Sequence, residues 1–118
     1  MAAHNEKGKE GELLALNYLE SNGYEVIGKN WTSDKSEIDL IALKDGMLHF
    51  IEVKYRTFSK YGHPEQNVTR KKIKFLLRGI DDYLYMHPQH TDFRLDILAI
   101  TGKEDDQPEY FFIPDVTL

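Results

Sequence analysis

The chain has 118 residues, no cysteine, and a formal net charge of −5 from 20 acidic and 15 basic side chains. This length predicts a single domain spanning residues 1–118 with one hydrophobic core. The lack of cysteine excludes a disulfide-stapled secreted domain, and the lack of any apolar run of about 18 residues or of a signal-peptide core predicts a cytoplasmic protein that does not enter membranes.

The first elements of the chain are a helix and a strand. Leucines at helical spacing over 11–22, followed by the stop signal Asn22-Gly23, predict the helix. Glu12 shares its apolar stripe with the residues three, four and seven positions later, so its carboxylate should border the buried side. Residues 24–31 are rich in Tyr, Val and Ile and predict a first strand.

A β-hairpin is predicted over residues 37–54. Two apolar runs flank Asp45-Gly46, the dipeptide that suits a type I′ turn because both central residues need positive φ. If the residues on either side of this turn pair with each other, Asp39 lies directly opposite Glu52. Acids are unusual in such apolar strands, so two opposed acids indicate a candidate functional site.

Opposing Asp39 and Glu52 has an energetic consequence. Directly opposed side chains have Cβ atoms about 5 Å apart, and two like charges at that distance repel by about 3 kcal/mol at an effective dielectric constant of 20. A divalent cation would remove the repulsion, and carboxylates are the hard oxygen ligands that Mg²⁺ or Mn²⁺ prefers. The alternative is a solvated charge network in which Lys54, close to both acids, neutralises them.

The second half of the chain alternates between irregular and regular segments. We predict a loop over 55–67, a second amphipathic helix over 68–84 and a fourth strand over 93–101. An acidic turn at 102–109 and an edge strand at 110–114 follow, the latter because Pro114 cannot donate to a sheet. The order αβββαββ predicts an α/β (α+β) fold with a mixed central sheet flanked by helices.

Positive charge is concentrated between Lys54 and Arg78. Eight basic residues and one acid give this segment a net charge of +7 and leave −12 for the rest of the chain. Such asymmetry indicates a basic binding face on an acidic body. A solvated helix face balanced by nearby acids is the alternative. Lys72, near the edge of the apolar stripe, is expected to point towards the sheet.

Other polar residues are assigned structural roles. Glu37 would oppose Lys54 in the proposed register and is expected to form an ion pair with it. Asp96 is expected to pair with Arg94 or another basic group. The spacing of His87 and His90 resembles that of a metal pair, but they flank a proline in a loop and no third ligand is evident.

Several separated motifs occur in a fixed order from about residue 5 to residue 100. An acid, a spacer and Glu-x-Lys lie on the hairpin, and a helix with Gly-Glu precedes them. The motifs are Gly8-Lys9-Glu10-Gly11-Glu12, Tyr18-Leu19, Gly23-Tyr24, Asn30-Trp31, Glu37-Ile38-Asp39-Leu40-Ile41-Ala42, Phe50-Ile51-Glu52-Val53-Lys54-Tyr55-Arg56, Val68 with Lys72, and Phe93-Arg94-Leu95-Asp96. The chain resembles the YraN-like family of uncharacterised bacterial proteins in the PD-(D/E)XK nuclease superfamily, which includes archaeal Holliday-junction resolvases. Ile38 stands where the superfamily motif names proline.

This resemblance implies a restriction-endonuclease-like core and a role for each motif residue. Asp39 and Glu52 fall on the superfamily's metal-binding acids, and Lys54 falls on its catalytic lysine. Glu12 falls on the helix-one glutamate of resolvase-like members, as a catalytic residue and an outer metal ligand. Val53 would offer its main-chain carbonyl to the metal. The cofactor implied is one or two Mg²⁺ (or Mn²⁺) ions, with no organic cofactor.

The resemblance also implies a DNA substrate and an endonuclease activity. Arg56, Arg70, Lys71 and Lys72 are expected to contact backbone phosphates, which position a nucleic acid without reading its sequence. The implied reaction is resolvase-like phosphodiester hydrolysis in branched or structured DNA, with a homodimer expected by analogy. Alternatives are a non-catalytic nucleic-acid-binding module that retains the nuclease fold, and a protein-interaction domain that uses the second helix.

Overall fold

The computed structural model describes residues 2–34, 36–57, 69–103 and 106–116, with side chains over 9–34, 36–56, 69–102 and 107–116. Its elements follow the predicted order αβββαββ. They are α1 (Ala2–Ser21), β1 (Glu25–Ser33), β2 (Ser36–Lys44), β3 (Met47–Thr57), α2 (Arg70–Met86), β4 (Phe93–Lys103) and β5 (Asp106–Ile113). The mixed α+β architecture is therefore as predicted, and it is compatible with a restriction-endonuclease-like core.

Helix α1 begins at Ala2, well before the predicted start at Gly11. The extra segment is rich in helix-forming Ala, Lys and Glu but has few apolar residues, so hydrophobic periodicity could not reveal it. The predicted end is confirmed. The Asn22 side chain donates to the Tyr18 carbonyl at 2.7 Å, and Gly23 follows with φ of 87°, the left-handed conformation that closes many helices.

The central hairpin has the predicted turn and register. Asp45 and Gly46 both have positive φ, at 53° and 79°, as a type I′ turn requires. Pairing runs from Lys44 with Met47 to Leu40 with Ile51. The ladder thus ends one residue before the level of Asp39 and Glu52.

The five strands form one sheet in the order β1-β2-β3-β4-β5. Strands β3 and β4 are parallel and the other neighbours are antiparallel. Since α2 lies between β3 and β4 in the chain, it makes the crossover that a parallel pair needs. Its side of the sheet holds one core cluster: Ile38, Ile41, Leu48, Phe50, Leu76, Ile80, Tyr83 and Leu95. The α1 side holds the other: Ala15, Leu19, Leu40, Ala42, Ile51, Leu98 and Ile100.

Parallel pairing with β4 extends β3 into the segment predicted to be a loop. Tyr55 pairs with Ile100 and Arg56 with Thr101, so the start of the predicted loop is strand instead. Tyr and Thr favour strands, and the ladder with β4 continues as far as Thr57 and Gly102. The prediction for residues 58–67 lies outside the described residues.

The predicted acidic turn over 102–109 is wrong for most of its length. Strand β4 continues to Lys103 and β5 begins at Asp106, and these two residues are paired. The hairpin is therefore tighter and its strands longer than turn-forming composition suggested. Strand β5 lies at the edge of the described sheet, as predicted.

Helix α2 begins at Arg70, where the Thr69 hydroxyl caps it by accepting from the Lys72 amide at 3.2 Å. The helix lies close to the start of β2: a β-carbon built on Gly79 would be 2.9 Å from that of Ser36. The Ser36 hydroxyl donates to the Phe75 carbonyl. These contacts hold α2 against the hairpin. Neither described helix is long and apolar enough to cross a membrane.

Candidate functional site

The site begins where β2 and β3 stop pairing. Beyond Leu40 and Ile51 the regular ladder ends, and one carboxylate oxygen of Asp39 accepts a hydrogen bond from the Val53 amide at 2.8 Å. The Asp39 side chain thus bonds to the β3 backbone at the point where backbone pairing stops, and this bond holds it between the two strands. The predicted role of Val53 concerned its carbonyl, whereas the contact seen here uses its amide.

Glu52 is buried beside Asp39, with 4 % of its surface exposed. Its Oε2 has no hydrogen-bond partner among the described residues, and the Lys72 Nζ lies 3.6 Å away. Burial, together with the neighbouring Asp39 carboxyl, raises the pKa of Glu52 from 4.5 to about 8, although Lys72 and Lys54 act in the opposite direction. The two acids are close together, as the register predicted.

This arrangement fits a divalent cation. An ionised carboxylate buried without a donor is costly, and a bound cation favours the ionised form through direct attraction. The oxygens of Asp39 and Glu52 are of the type that Mg²⁺ and Mn²⁺ prefer. Over the described ranges, however, no three His, Asp or Glu side chains form a metal-binding group. Asp39 and Glu52 are therefore the two side chains that could ligate an ion here, and further ligands would have to be water or backbone.

Glu12 lies on α1 and contacts a different strand. Both of its carboxylate oxygens accept from the Asn30 side-chain amide of β1, at 3.1 and 3.2 Å. One residue earlier, Gly11 packs against the Tyr55 side chain of β3. The described contacts of Glu12 do not include Asp39 or Glu52. Sequence reasoning missed Asn30, whose only signal was its place in the Asn30-Trp31 motif.

The predicted basic residues occupy β3 and the start of α2. Lys54 follows Glu52 by two residues and is half-buried, whereas Arg56 is exposed two residues further on. Alternation along a strand puts these three side chains on one face. Arg70 and Lys71 are exposed in the first turn of α2. Lys72 is the residue that reaches the sheet, as expected.

The predicted ion pair between Glu37 and Lys54 is wrong. The described ion pairs do not include it, and Glu37 is exposed, with its backbone paired to Thr32 of β1. The hairpin ladder ends before it reaches Glu37, so this residue joins the neighbouring strand. Lys54 is therefore left beside Glu52.

Asp96 pairs with a basic group, as predicted, and that group is His49 and not Arg94. Asp96 is fully buried and accepts from the Asp115 amide at 2.8 Å. Its other oxygen lies 2.7 Å from the His49 Nδ1, whereas Arg94 is exposed. The His49 ring meets Tyr24 edge-on, at 5.1 Å between centroids, and Tyr24 packs on the α1-side cluster. This polar pair therefore belongs to the core beneath α1.

The sequence profile described as "Uncharacterised protein family UPF0102" matches residues 11–100. A UPF0102 protein of Cytophaga hutchinsonii is 44 % identical over 101 residues, covering 86 % of this chain and 89 % of that relative. One from Chloroherpeton thalassium is 37 % identical over 116 residues, covering 92 % and 90 %. The matched range includes Glu12, Asp39, Glu52 and Lys54, and it agrees with the extent of the predicted resemblance.

Proposed function

The chain belongs to the uncharacterised protein family UPF0102, and we propose that it is a metal-dependent endonuclease that hydrolyses phosphodiester bonds in branched or structured DNA. The observation that carries this proposal is the buried pair of Asp39 and Glu52. Glu52 has a buried oxygen without a partner among the described residues and a pKa of about 8. Its ionised form is therefore costly in the metal-free protein. Perturbed acids of this kind concentrate at functional sites.

Asp39 and Glu52 would hold one or two Mg²⁺ or Mn²⁺ ions, with the Val53 carbonyl as a further ligand and Glu12 outside them. When bound, the ion supplies Lewis-acid stabilisation of the phosphate and a more acidic water. The chain itself supplies the anchoring of Asp39 through the Val53 amide and the exclusion of water around Glu52. Both features fix the acids before any ligand arrives, which limits reorganisation on binding.

Lys54 is the proposed catalytic cation. It is half-buried on the same face of β3 as Glu52, and its charge acts on the Glu52 carboxyl. From there it would orient the attacking water or stabilise the negative charge that develops on the phosphate. Lys72, 3.6 Å from Glu52 on the helix side, would hold a non-bridging phosphate oxygen once the metal satisfies the acid.

The start of α2 supports a polyanionic substrate. Arg70, Lys71 and Lys72 fill the first turn, which contains no acid. Cations at the positive end of the helix dipole are unfavourable by roughly 0.3–1 kcal/mol each, and phosphates would reverse this effect. Together with Arg56, which is exposed on β3, these side chains would contact the DNA backbone without reading bases. The structure of the DNA, and not its base sequence, would then determine where it is cut. A homodimer would suit a two-fold symmetric junction. A DNA substrate would place the protein in the cytoplasm.

The test is cleavage of labelled four-way junction, flap and single-stranded DNA with Mg²⁺, Mn²⁺ or EDTA. We expect metal-dependent cleavage that Asp39→Asn and Lys54→Met each reduce by at least about 100-fold, as loss of one transition-state contact does. The exposed residues Asp81 and Lys29 provide the matched controls Asp81→Asn and Lys29→Met. Cleavage that is equal in the two sets of variants would contradict the proposed function.

A non-catalytic nucleic-acid-binding module is the second candidate. Two observations favour it. The described residues contain no group of three side chains that could hold a metal ion, and the first turn of α2 carries basic residues and no acid. This candidate predicts DNA binding that falls on Arg70→Ala with Lys71→Ala and does not respond to Asp39→Asn or to metal. Metal-dependent cleavage would exclude it.

A further inference from the structure

Asn30 has an unusual backbone and an unusual contact. It lies within β1 with φ of 51°, a left-handed conformation that asparagine tolerates better than most residues but that is rare in strands. Its side-chain amide donates to both carboxylate oxygens of Glu12. A two-oxygen contact fixes the orientation of the carboxylate as well as its position.

The register of β1 puts Asn30 beside the proposed active site. Lys29 pairs with Leu40, and Trp31 pairs with Ile38. On β1, Asn30 lies between Lys29 and Trp31. On β2, Asp39 lies between their partners. Asn30 is therefore level with Asp39 on the neighbouring strand.

Helix α1 crosses the sheet at the same place. Gly11 contacts Tyr55 of β3, close enough that an added β-carbon would come within 2.6 Å of it, and Glu12 contacts Asn30 of β1. Strand β2 lies between β1 and β3. The helix therefore crosses β2 near the end of its ladder with β3, where Asp39 is anchored. It lies on the face of the sheet opposite to α2, whose Lys72 contacts Glu52.

We propose that Asn30 is a positioning residue that holds the Glu12 carboxylate on the α1 side of the sheet, level with Asp39, as an outer ligand of the metal bound by Asp39 and Glu52. This inference rests on the proposed function and adds a residue to its site. The neutral amide orients Glu12 without neutralising it, so the carboxylate remains available to a metal-bound water. Residues that orient ligands in this way influence metal affinity through the ligand they hold.

The first experiment measures Mn²⁺ affinity of the full chain by calorimetry. Asn30→Gly keeps the left-handed backbone and removes the amide. We expect it to weaken Mn²⁺ binding about tenfold or more, the range typical of outer-shell partners. Asp34→Gly is the matched control, since Asp34 also has positive φ, at 53°, and should leave affinity unchanged.

The second experiment asks whether Asn30 acts through Glu12. In a Glu12→Gln background, Asn30→Gly should cause no further loss of Mn²⁺ affinity. An equal loss in both backgrounds would overturn the positioning role, even if Asp39→Asn abolishes binding as the proposed function requires. Mn²⁺ binding that does not respond to Asp39→Asn would instead overturn the proposed metal site, and the outer-ligand role with it.

A third measurement reports the contact itself in the metal-free protein. The Asn30 side-chain amide gives two proton resonances, and Glu12→Gln should shift them because it replaces a carboxylate acceptor with a weaker amide. Asp34→Asn should leave them in place. Unchanged Asn30 resonances in the Glu12→Gln protein would overturn the inference independently of any metal.

Discussion

Replacing Glu52 with glutamine should make the metal-free protein more stable at high pH. Glu52 is 4 % exposed, with a pKa raised from 4.5 to about 8 by burial and by Asp39. The folded state therefore holds this proton more tightly than the unfolded state does. At about 1.36 kcal/mol per pKa unit, ionised Glu52 lowers the free energy of unfolding by at most about 5 kcal/mol above pH 8.

The direction of the pH dependence follows from proton release. Between pH 4.5 and about 8 the unfolded chain has lost the Glu52 proton while the folded chain retains it, so unfolding releases a proton. The free energy of unfolding of the wild type should therefore fall as pH rises through this window and level off above it. In Glu52→Gln this contribution to the slope is absent.

Urea unfolding in EDTA at intervals from pH 4.5 to 9 measures this difference. Trp31, the single tryptophan, packs edge-on against Tyr83, 5.3 Å between centroids, and reports unfolding by fluorescence. Glu37→Gln, an exposed glutamate on β2, is the matched control and should follow the wild type. Parallel pH profiles for wild type and Glu52→Gln would refute the reasoning.

Three further predictions concern the metal, the core and the basic face. Mn²⁺ at about 100 times its Kd should stabilise the wild type by about 2.7 kcal/mol but not Asp39→Asn, as a thermal shift assay would show; equal shifts would contradict the assigned ligands. Asp96→Ala should cost roughly 1–3 kcal/mol of unfolding free energy by urea titration, because it leaves the buried His49 ring without its hydrogen-bond partner; an unchanged free energy of unfolding would contradict the assigned role. Arg70→Ala with Lys71→Ala should flatten the dependence of log K on log salt for duplex DNA by about 2, measured by anisotropy; an unchanged slope would mean that neither residue contacts phosphate.

The part of the site that could be predicted from sequence is the part that local chemistry determines. Asp45-Gly46 specified a turn, the turn specified a register, and the register brought Asp39 to Glu52. Each step involves neighbours on one hairpin. Lys72 was also predictable, because its place at the edge of an apolar stripe follows from helical periodicity.

The features that were missed depend on contacts between distant segments. The left-handed backbone of Asn30 and its contact with Glu12 join β1 to α1, and no periodic pattern encodes them. The partner of Asp96 is His49, which lies on a parallel neighbouring strand reached only through α2. The continuation of β3 past Lys54 likewise depends on β4.

The local character of the hairpin has a consequence for the order of folding. Asp39 and Val53 are fourteen residues apart, whereas β3 reaches β4 only across α2, and local contacts generally form faster than distant ones. The two acids would then meet while still hydrated, and their mutual repulsion would grow only when α2 docks and excludes water. A group that is strained late in folding affects mainly the unfolding rate. Glu52→Gln should therefore slow unfolding at pH 8 while leaving the refolding rate nearly unchanged.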